Sequence, residues 1–429
     1  MRIRRGWLPR GLLAPLLLVL TGCAPQPGSA PAAADATSPT FNKQIVRILQ
    51  RDCQECHRPQ GGSVSLVTFA DAYRRRVKMA EQVDARQMPL WKPVAGHGDF
   101  VGARRLSAGD IALIRRWVAD GAPEGDPADL PRPRVFGDSW KLGRPGLVLV
   151  PDEEFVVPAR SRDIYRCFVI PLRVGRGQFL SASEILPGNR KIVHHVTTFL
   201  DLTGRAEYLD RVTPGPGYKC FGSPGFESVG GIGGWAPGLP PLQMGQGVAF
   251  GLPQGAHVVM QVHYANPGPT EERDLTRIGI HFTAPPFQRR IQYIPVRTRA
   301  IHIPAGVPSQ TATAMYTVES SKAMEVTHIQ AHMHLLGRGF RAWVQYPDGT
   351  ERPLLRIDDW DFEHQERYEF KRPVPVPAFA NIHVACTYDN SSANRRNPTF
   401  PPRLVAWGLE TTDEMCEAHI LGTVSITPW

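Results

Sequence analysis

Met324-Glu-Val-Thr-His328-Ile-Gln-Ala-His332-Met-His334-Leu-Leu336 is a short β-prone run carrying two histidines two residues apart. In a regular strand residues i and i+2 share a face, so His332 and His334 can grip one ion. Runs of the same kind lie around it at 164–172, 191–201, 257–266, 277–283, 341–346 and 381–389, separated by Pro, Gly and Asn. A period of two in short runs, punctuated by turn residues, is an all-β signature and is most easily built as sandwiches. The C-terminal two-thirds has room for two, at 141–285 and 286–429.

The bulk numbers agree. A chain of 429 residues is too long for one ordinary core. Its 42% hydrophobic and 21% charged content is that of a folded globular protein, and 40 Gly with 41 Pro predict many turns. The formal charge of +9 overstates the basic character, because Arg2, Arg4, Arg5 and Arg10 precede an apolar run, residues 12–20, that reads as an export signal. Removing them leaves a charge of about +5 and no Lys/Arg cluster interleaved with aromatics, so nucleic acid is not an expected partner.

That apolar run is too short to span a bilayer and ends in Leu20-Thr21-Gly22-Cys23, which resembles a bacterial lipobox. Residues 1–23 are therefore expected to be a lipoprotein signal, with Cys23 acylated. Residues 24–40, rich in Ala, Pro and Ser, read as a flexible tether. The expected location is a membrane surface facing the periplasm. Ala24 is not the Asp that favours inner-membrane retention, which points to the outer membrane.

Residues 41–125 carry a different pattern. Cys53-Gln-Glu-Cys56-His57 is the c-type haem attachment sequence: two thiols three residues apart reach the two vinyl groups, and the next residue places an imidazole under the iron. Phe41, Ile45, Ile48 and Leu49 precede it at helical spacing. Ser107-x-x-Asp110 starts a final helix that buries Ile111, Ile114, Trp117 and Val118 and stops at Gly121 and Pro123. A helix leading into the motif and a last helix packing across it is similar to the small class I cytochromes c. The resemblance implies a covalent haem and a soft sixth ligand. Met88, turned by Pro89 in a loop, is the expected ligand; Met79 lies in a helical stretch, 70–83, and is expected to pack. Residues 126–140, Pro-rich, read as an inter-domain linker.

The histidines of the β region form an ordered set. Lys191-Ile-Val-His194-His195-Val, Gln261-Val-His263-Tyr264, Ala331-His332-Met-His334-Leu-Leu-Gly337 and Asp413-Glu-Met415-Cys416 follow one another along the chain. Adjacent histidines point to opposite faces of a strand, so His194 and His195 can share a metal only at a strand end or bulge, or through different ring nitrogens. In order and approximate spacing these four motifs resemble the copper monooxygenases that hydroxylate peptidylglycine and dopamine. The resemblance covers about residues 150–425. It implies that His194, His195 and His263 hold an electron-relaying copper, and that His332, His334 and Met415 hold the oxygen-activating one. The chemistry is consistent, because a thioether is a poor zinc ligand and a good one for Cu(I). The resemblance also pairs Cys167 with Cys220 and Cys386 with Cys416, which leaves none of the seven cysteines over.

One departure concerns the substrate. The peptide-acting relatives clamp a carboxylate at positions that align with Gln330, Glu417 and His419, none of them an obligatory cation. His328 shares a strand face with His332 and His334 and is a candidate supporting or alternative ligand. His97, His257, His281, His302, His364 and His383 have no partner pattern and read as structural. The expected protein is a copper monooxygenase that takes O2 and a small substrate, with a fused haem fed by an upstream donor. The alternative is a periplasmic electron-transfer or copper-binding cytochrome without turnover.

Overall fold

The computed structural model describes residues 38–426, apart from 60, 62, 138, 222 and 320–322. The export signal, Cys23 and nearly all of the tether lie outside the described residues.

A π-helical turn, Phe41–Ile45, runs into α1 (Val46–Asp52), and α2 (Phe69–Asp84) and α3 (Ala108–Ala119) follow. The side chains of Thr68 and Ser107 cap α2 and α3, and Ser107 with Asp110 forms a full capping box. These helices bury Phe41, Ile45, Leu49, Met79, Val83, Ile114 and Trp117 in one small core. Beyond α3, Trp117 donates its indole N–H to the Pro123 carbonyl, 2.9 Å away. The Pro-rich stretch after it is fastened to α1: Arg47 and Gln50 donate to the carbonyls of Asp129 and Arg132, at 3.1 and 3.0 Å. Among the described residues no helix is long and apolar enough to cross a membrane.

Two β-sandwiches follow. In the first, β1 (Ser161–Pro171), β2 (Val193–Asp201) and β3 (His257–Asn266) form the centre of a five-stranded sheet, with β3 between the other two. It packs on a four-stranded sheet that includes Phe179–Leu186 and Arg277–Thr283. In the second, β4 (Arg289–Thr298), β5 (Met324–His332), β6 (Arg367–Val376) and β7 (Cys416–Ser425) run in the order β6-β5-β7-β4. Val248–Ala249 of the first sandwich adds a parallel edge strand to β4. The opposite sheet holds Gln310–Thr317, Gly337–Gln345, Glu351–Ile357 and Asn381–Tyr388. Cys167–Cys220 and Cys386–Cys416 are disulfides, one in each sandwich.

The helical unit does not end cleanly at its own core. Phe100, between α2 and α3, is 3% exposed and belongs to the core of the second sandwich. It packs edge-on or tilted against Trp91, Tyr368 and Phe370, with ring centroids 4.8–6.3 Å away. Backbone bonds fix the seam: Val94 N–H to Arg356, Val101 N–H to Glu369, and Lys371 N–H to Asp99. Such apolar burial contributes roughly 2 kcal/mol per large side chain.

Candidate metal centres

The first centre is built on a defect in pairing. His263 of β3 lies opposite His195 of β2, but the next residue, Tyr264, lies opposite Val193. His194 is the extra residue of a bulge, and a bulge re-aims a side chain that regular alternation would send to the other face. The two adjacent histidines therefore converge on His263. Ligand nitrogens of all three lie within 4.8 Å of one another. Their ring centroids are 4.8–5.5 Å apart, and the Nδ1 atoms of His194 and His195 face each other at 3.2 Å. Burial pushes the His263 imidazole down to about 3 and lowers the other two. The cluster is thus uncharged at neutral pH, with lone pairs free. Tyr165 stacks on His263 at 4.1 Å and fixes the ring plane.

The second centre lies where a strand stops. β5 ends at His332, and His334 sits in the turn beyond it, its ring 5.2 Å from that of His332. Strand alternation therefore does not place His334; Glu414 does. Its buried carboxylate accepts the backbone N–H groups of His334, Leu336 and Met415, at 2.9, 2.6 and 3.3 Å. Burial pushes this carboxyl up to about 8, against the pull of those N–H groups. The same three bonds hold Met415, 6% exposed, beside the histidine turn, and Cys416 anchors the next position through its disulfide.

Each ring is oriented from behind. His334 donates through Nδ1 to the Asp413 carbonyl at 3.3 Å, and His332 donates through Nδ1 to Gln365 Oε1 at 2.6 Å. That leaves both Nε2 atoms for an ion, and the His334 Nε2 is buried with no hydrogen-bond partner. So is Nδ1 of His263. Unpartnered buried imidazole nitrogens on His263 and His334, in sets where five of the six donors are His and the last is a buried thioether, fit copper at both centres.

Beside the second centre the sheet face is polar. Across the ladder His332 lies opposite Glu417, which lies opposite Arg297; Gln330 lies between His419 and Arg367. Glu417 is 5% exposed and 3.5 Å from His419, whose ring is 6.0 Å from that of His332. Burial pushes His419 down to about 4. His328 bonds Thr327 through Nδ1 and faces Glu369 across 3.9 Å. None of its described contacts is with His332 or His334.

Beyond Tyr165 and Glu414, the residues that sequence reasoning missed lie in one loop, 358–366, between Glu351–Ile357 and β6. Gln365 holds His332, and Glu363 comes within 3.7 Å of His263 Nδ1 in the other sandwich. His364, which reads as structural in the sequence, sits with its ring 6.2 Å from that of His194. Phe362 packs between Phe221 of the first sandwich and His334, at 6.1 and 6.0 Å. Glu366 takes both oxygens to Arg104 of the helical unit, at 2.5 and 2.6 Å, and Asp361 lies 3.6 Å from Lys92. The only local signal was Asp361 three residues before His364.

In the helical unit, Cys53 and Cys56 are, among the described residues, the cysteines outside disulfides. Burial pushes the Cys53 thiol up to about 12, so without a bound group it is a neutral thiol. His57 donates through Nδ1 to the Val64 carbonyl at 2.9 Å, which leaves Nε2 for an axial bond. Two unpaired thiols and an oriented imidazole fit covalent haem attachment. Met79 is 8% exposed and packed, whereas Met88 is 37% exposed in its loop. Gly238 of the first sandwich lies against the motif: a side chain there would meet Cys56 Sγ at 3.5 Å.

Residues 291–422 match the copper type II ascorbate-dependent monooxygenase C-terminal domain. The chain is 26% identical over 285 residues to the human putative DBH-like monooxygenase protein 2, covering 61% of this chain and 53% of that one. It is 27% identical over 257 residues to the tyramine beta-hydroxylase of Caenorhabditis briggsae, covering 55% and 40%. The chain spans about half the length of these curated relatives. Among solved structures, the major capsid protein P2 of bacteriophage PM2 aligns with 66% of this chain and 98% of its own at 9% identity. Its TM-score of 0.25 is too low to bear on fold or function. The second sandwich thus matches the C-terminal domain of the copper type II monooxygenases, and similarity to members of that group extends over about three fifths of the chain.

Proposed function

We propose that this protein is a copper-dependent monooxygenase that hydroxylates a C–H bond of a small substrate with O2, its electrons entering through a covalently attached c-type haem. The observation that carries the reading is the pair of centres: three converging imidazoles in the first sandwich, and two more beside the Glu414-held turn and buried Met415 in the domain that matches a copper monooxygenase. When bound, copper would supply one-electron storage at His194, His195 and His263 and oxygen chemistry at His332, His334 and Met415.

The chain's own residues bind, orient and exclude water. Tyr165 fixes the plane of His263, Gln365 the tautomer of His332, and Asp413 that of His334. Glu414 holds the turn on which His334 and Met415 depend. Gln330, Glu417 and His419 would face the substrate. Arg297 and Arg367 flank that face, but Arg297 lies 3.6 Å from Glu227, and the charge of Arg367 acts on Glu369. The face is therefore no anion trap, and a neutral or cationic small molecule suits it better than a glycine-extended peptide. Cys53 and Cys56 would hold the haem, and His57 and Met88 would bind its iron. Cys23, acylated, would tether the protein to the periplasmic face of the outer membrane.

Metal and haem analysis of the purified protein, followed by an oxygen-uptake screen, tests this. Two coppers and one covalent haem per chain, with uptake that depends on an added substrate, is the expected result. Copper and haem without any substrate-dependent uptake would favour a non-catalytic electron-transfer protein; zinc in both centres from a metal mixture would end the copper reading.

A further inference from the structure

The first metal centre is approached by a fourth imidazole from the other sandwich. We propose that His364 completes the site formed by His194, His195 and His263, so that one metal ion is held by both sandwiches; this rests on the copper reading of that site. The His364 ring is 6.2 Å from that of His194 and inclined to it by 71°, against 4.8–5.5 Å among the other three. It stands just outside the cluster.

Its hydrogen bonding is that of a ligand in waiting. Nδ1 donates to Asp361 Oδ2 at 3.1 Å, which fixes the tautomer with the Nε2 lone pair free. A carboxylate behind an imidazole is the usual support of a metal-ligating histidine, and it raises the basicity of the other nitrogen. Asp361 is itself placed by the Glu363 N–H at 3.2 Å and by Lys92 at 3.6 Å. The flanking residues fix the loop on both sides: Glu363 reaches His263, and Gln365 holds His332. A partly exposed contact between Asp361 and His364 would contribute only about 1 kcal/mol to stability and gives no reason to bring the ring to His194.

A ligand from the second sandwich has a consequence that three ligands from the first do not. Loading the first centre would draw loop 358–366 against it, and the same loop carries Gln365, which orients His332. Filling one centre would then order the other.

The test is Cu(II) binding to the full-length protein with the second centre emptied by His332→Ala and His334→Ala, read by chelator competition and by the nitrogen coupling in electron paramagnetic resonance. His364→Ala should weaken Cu(II) binding about tenfold or more and reduce the coupled nitrogens from four to three. Asp361→Asn should move both readouts the same way by less, and His364→Gln should behave like His364→Ala with an unchanged circular dichroism spectrum. Unchanged affinity and an unchanged spectrum in His364→Ala, while His263→Ala still abolishes binding, would overturn the proposal and leave the copper site standing. Binding that survives His263→Ala would overturn the copper reading of the site as well.

Discussion

The two metal centres reach similar ends by opposite means. The first sits within paired strands: His263 is flanked by β1 and β2, and one bulge turns His194 inward. The second hangs from the end of a strand, where the Glu414 carboxyl, a disulfide and a few hydrogen bonds from Trp360, Tyr388 and the His334 ring keep His334 and Met415 in place. A site set in a ladder moves little when its metal changes charge, which suits the storage of single electrons. A site at a strand end is tied into fewer ladder bonds, which suits a centre whose ligands must adjust as oxygen and substrate bind. Stiffness in the first is a property of the sheet; in the second it depends on a few named bonds.

That contrast is most sharply tested at Glu414. Glu414→Ala would leave three buried N–H groups unsatisfied, a cost of about 3–5 kcal/mol. It should empty the second centre while the first still binds copper at full stoichiometry, as metal analysis of each variant would show. Equal loss from both centres would mean that they are not independently built. The double variant Cys386→Ala, Cys416→Ala comes next. Opening a loop of 30 residues should lower stability by roughly 3 kcal/mol, and denaturant unfolding should show the second sandwich giving way first.

Much of this was legible in the sequence, and the rest has identifiable reasons for being hidden. The cap at Ser107, the strand 257–266 and the histidine order are local patterns, and local patterns survive in a single sequence. The bulge at His194 is a relation between strands, so the sequence predicted only that such a device was needed. Loop 358–366 has no period, and nothing in it announces which centre each side chain will reach. Phe100 shows the same limit: nothing near it in the sequence says that it enters the core of the second sandwich, far along the chain.

A smaller effect is expected in acid. Burial, reinforced by Arg367, pushes His328 down to about 3. The unfolded chain takes up this proton below its ordinary value of about 6.5, and the folded chain does not. Stability of the second sandwich should therefore be complete above pH 6.5 and fall as pH drops toward 3, by about 1 kcal/mol per pH unit from this group. His328→Asn should flatten that slope in urea titrations of the metal-free protein; an unchanged slope would show that His328 is not its source. The smallest effect is expected at Gln365. Gln365→Leu should weaken copper at the second centre by about tenfold through the freed His332 ring, with the first centre unaffected in the same titration. Equal weakening at both would show the loop to be a common prop rather than a selective one.

The central claim is that oxygen is activated at the centre that includes Met415. Its most direct test is product formation under 18O2 by the copper-loaded, reduced protein and its Met415→Leu variant, with whichever substrate stimulates uptake. One 18O atom per product from the native protein, none from the variant, and a three-histidine copper that remains reducible in both is the predicted result. Full incorporation by Met415→Leu would contradict it.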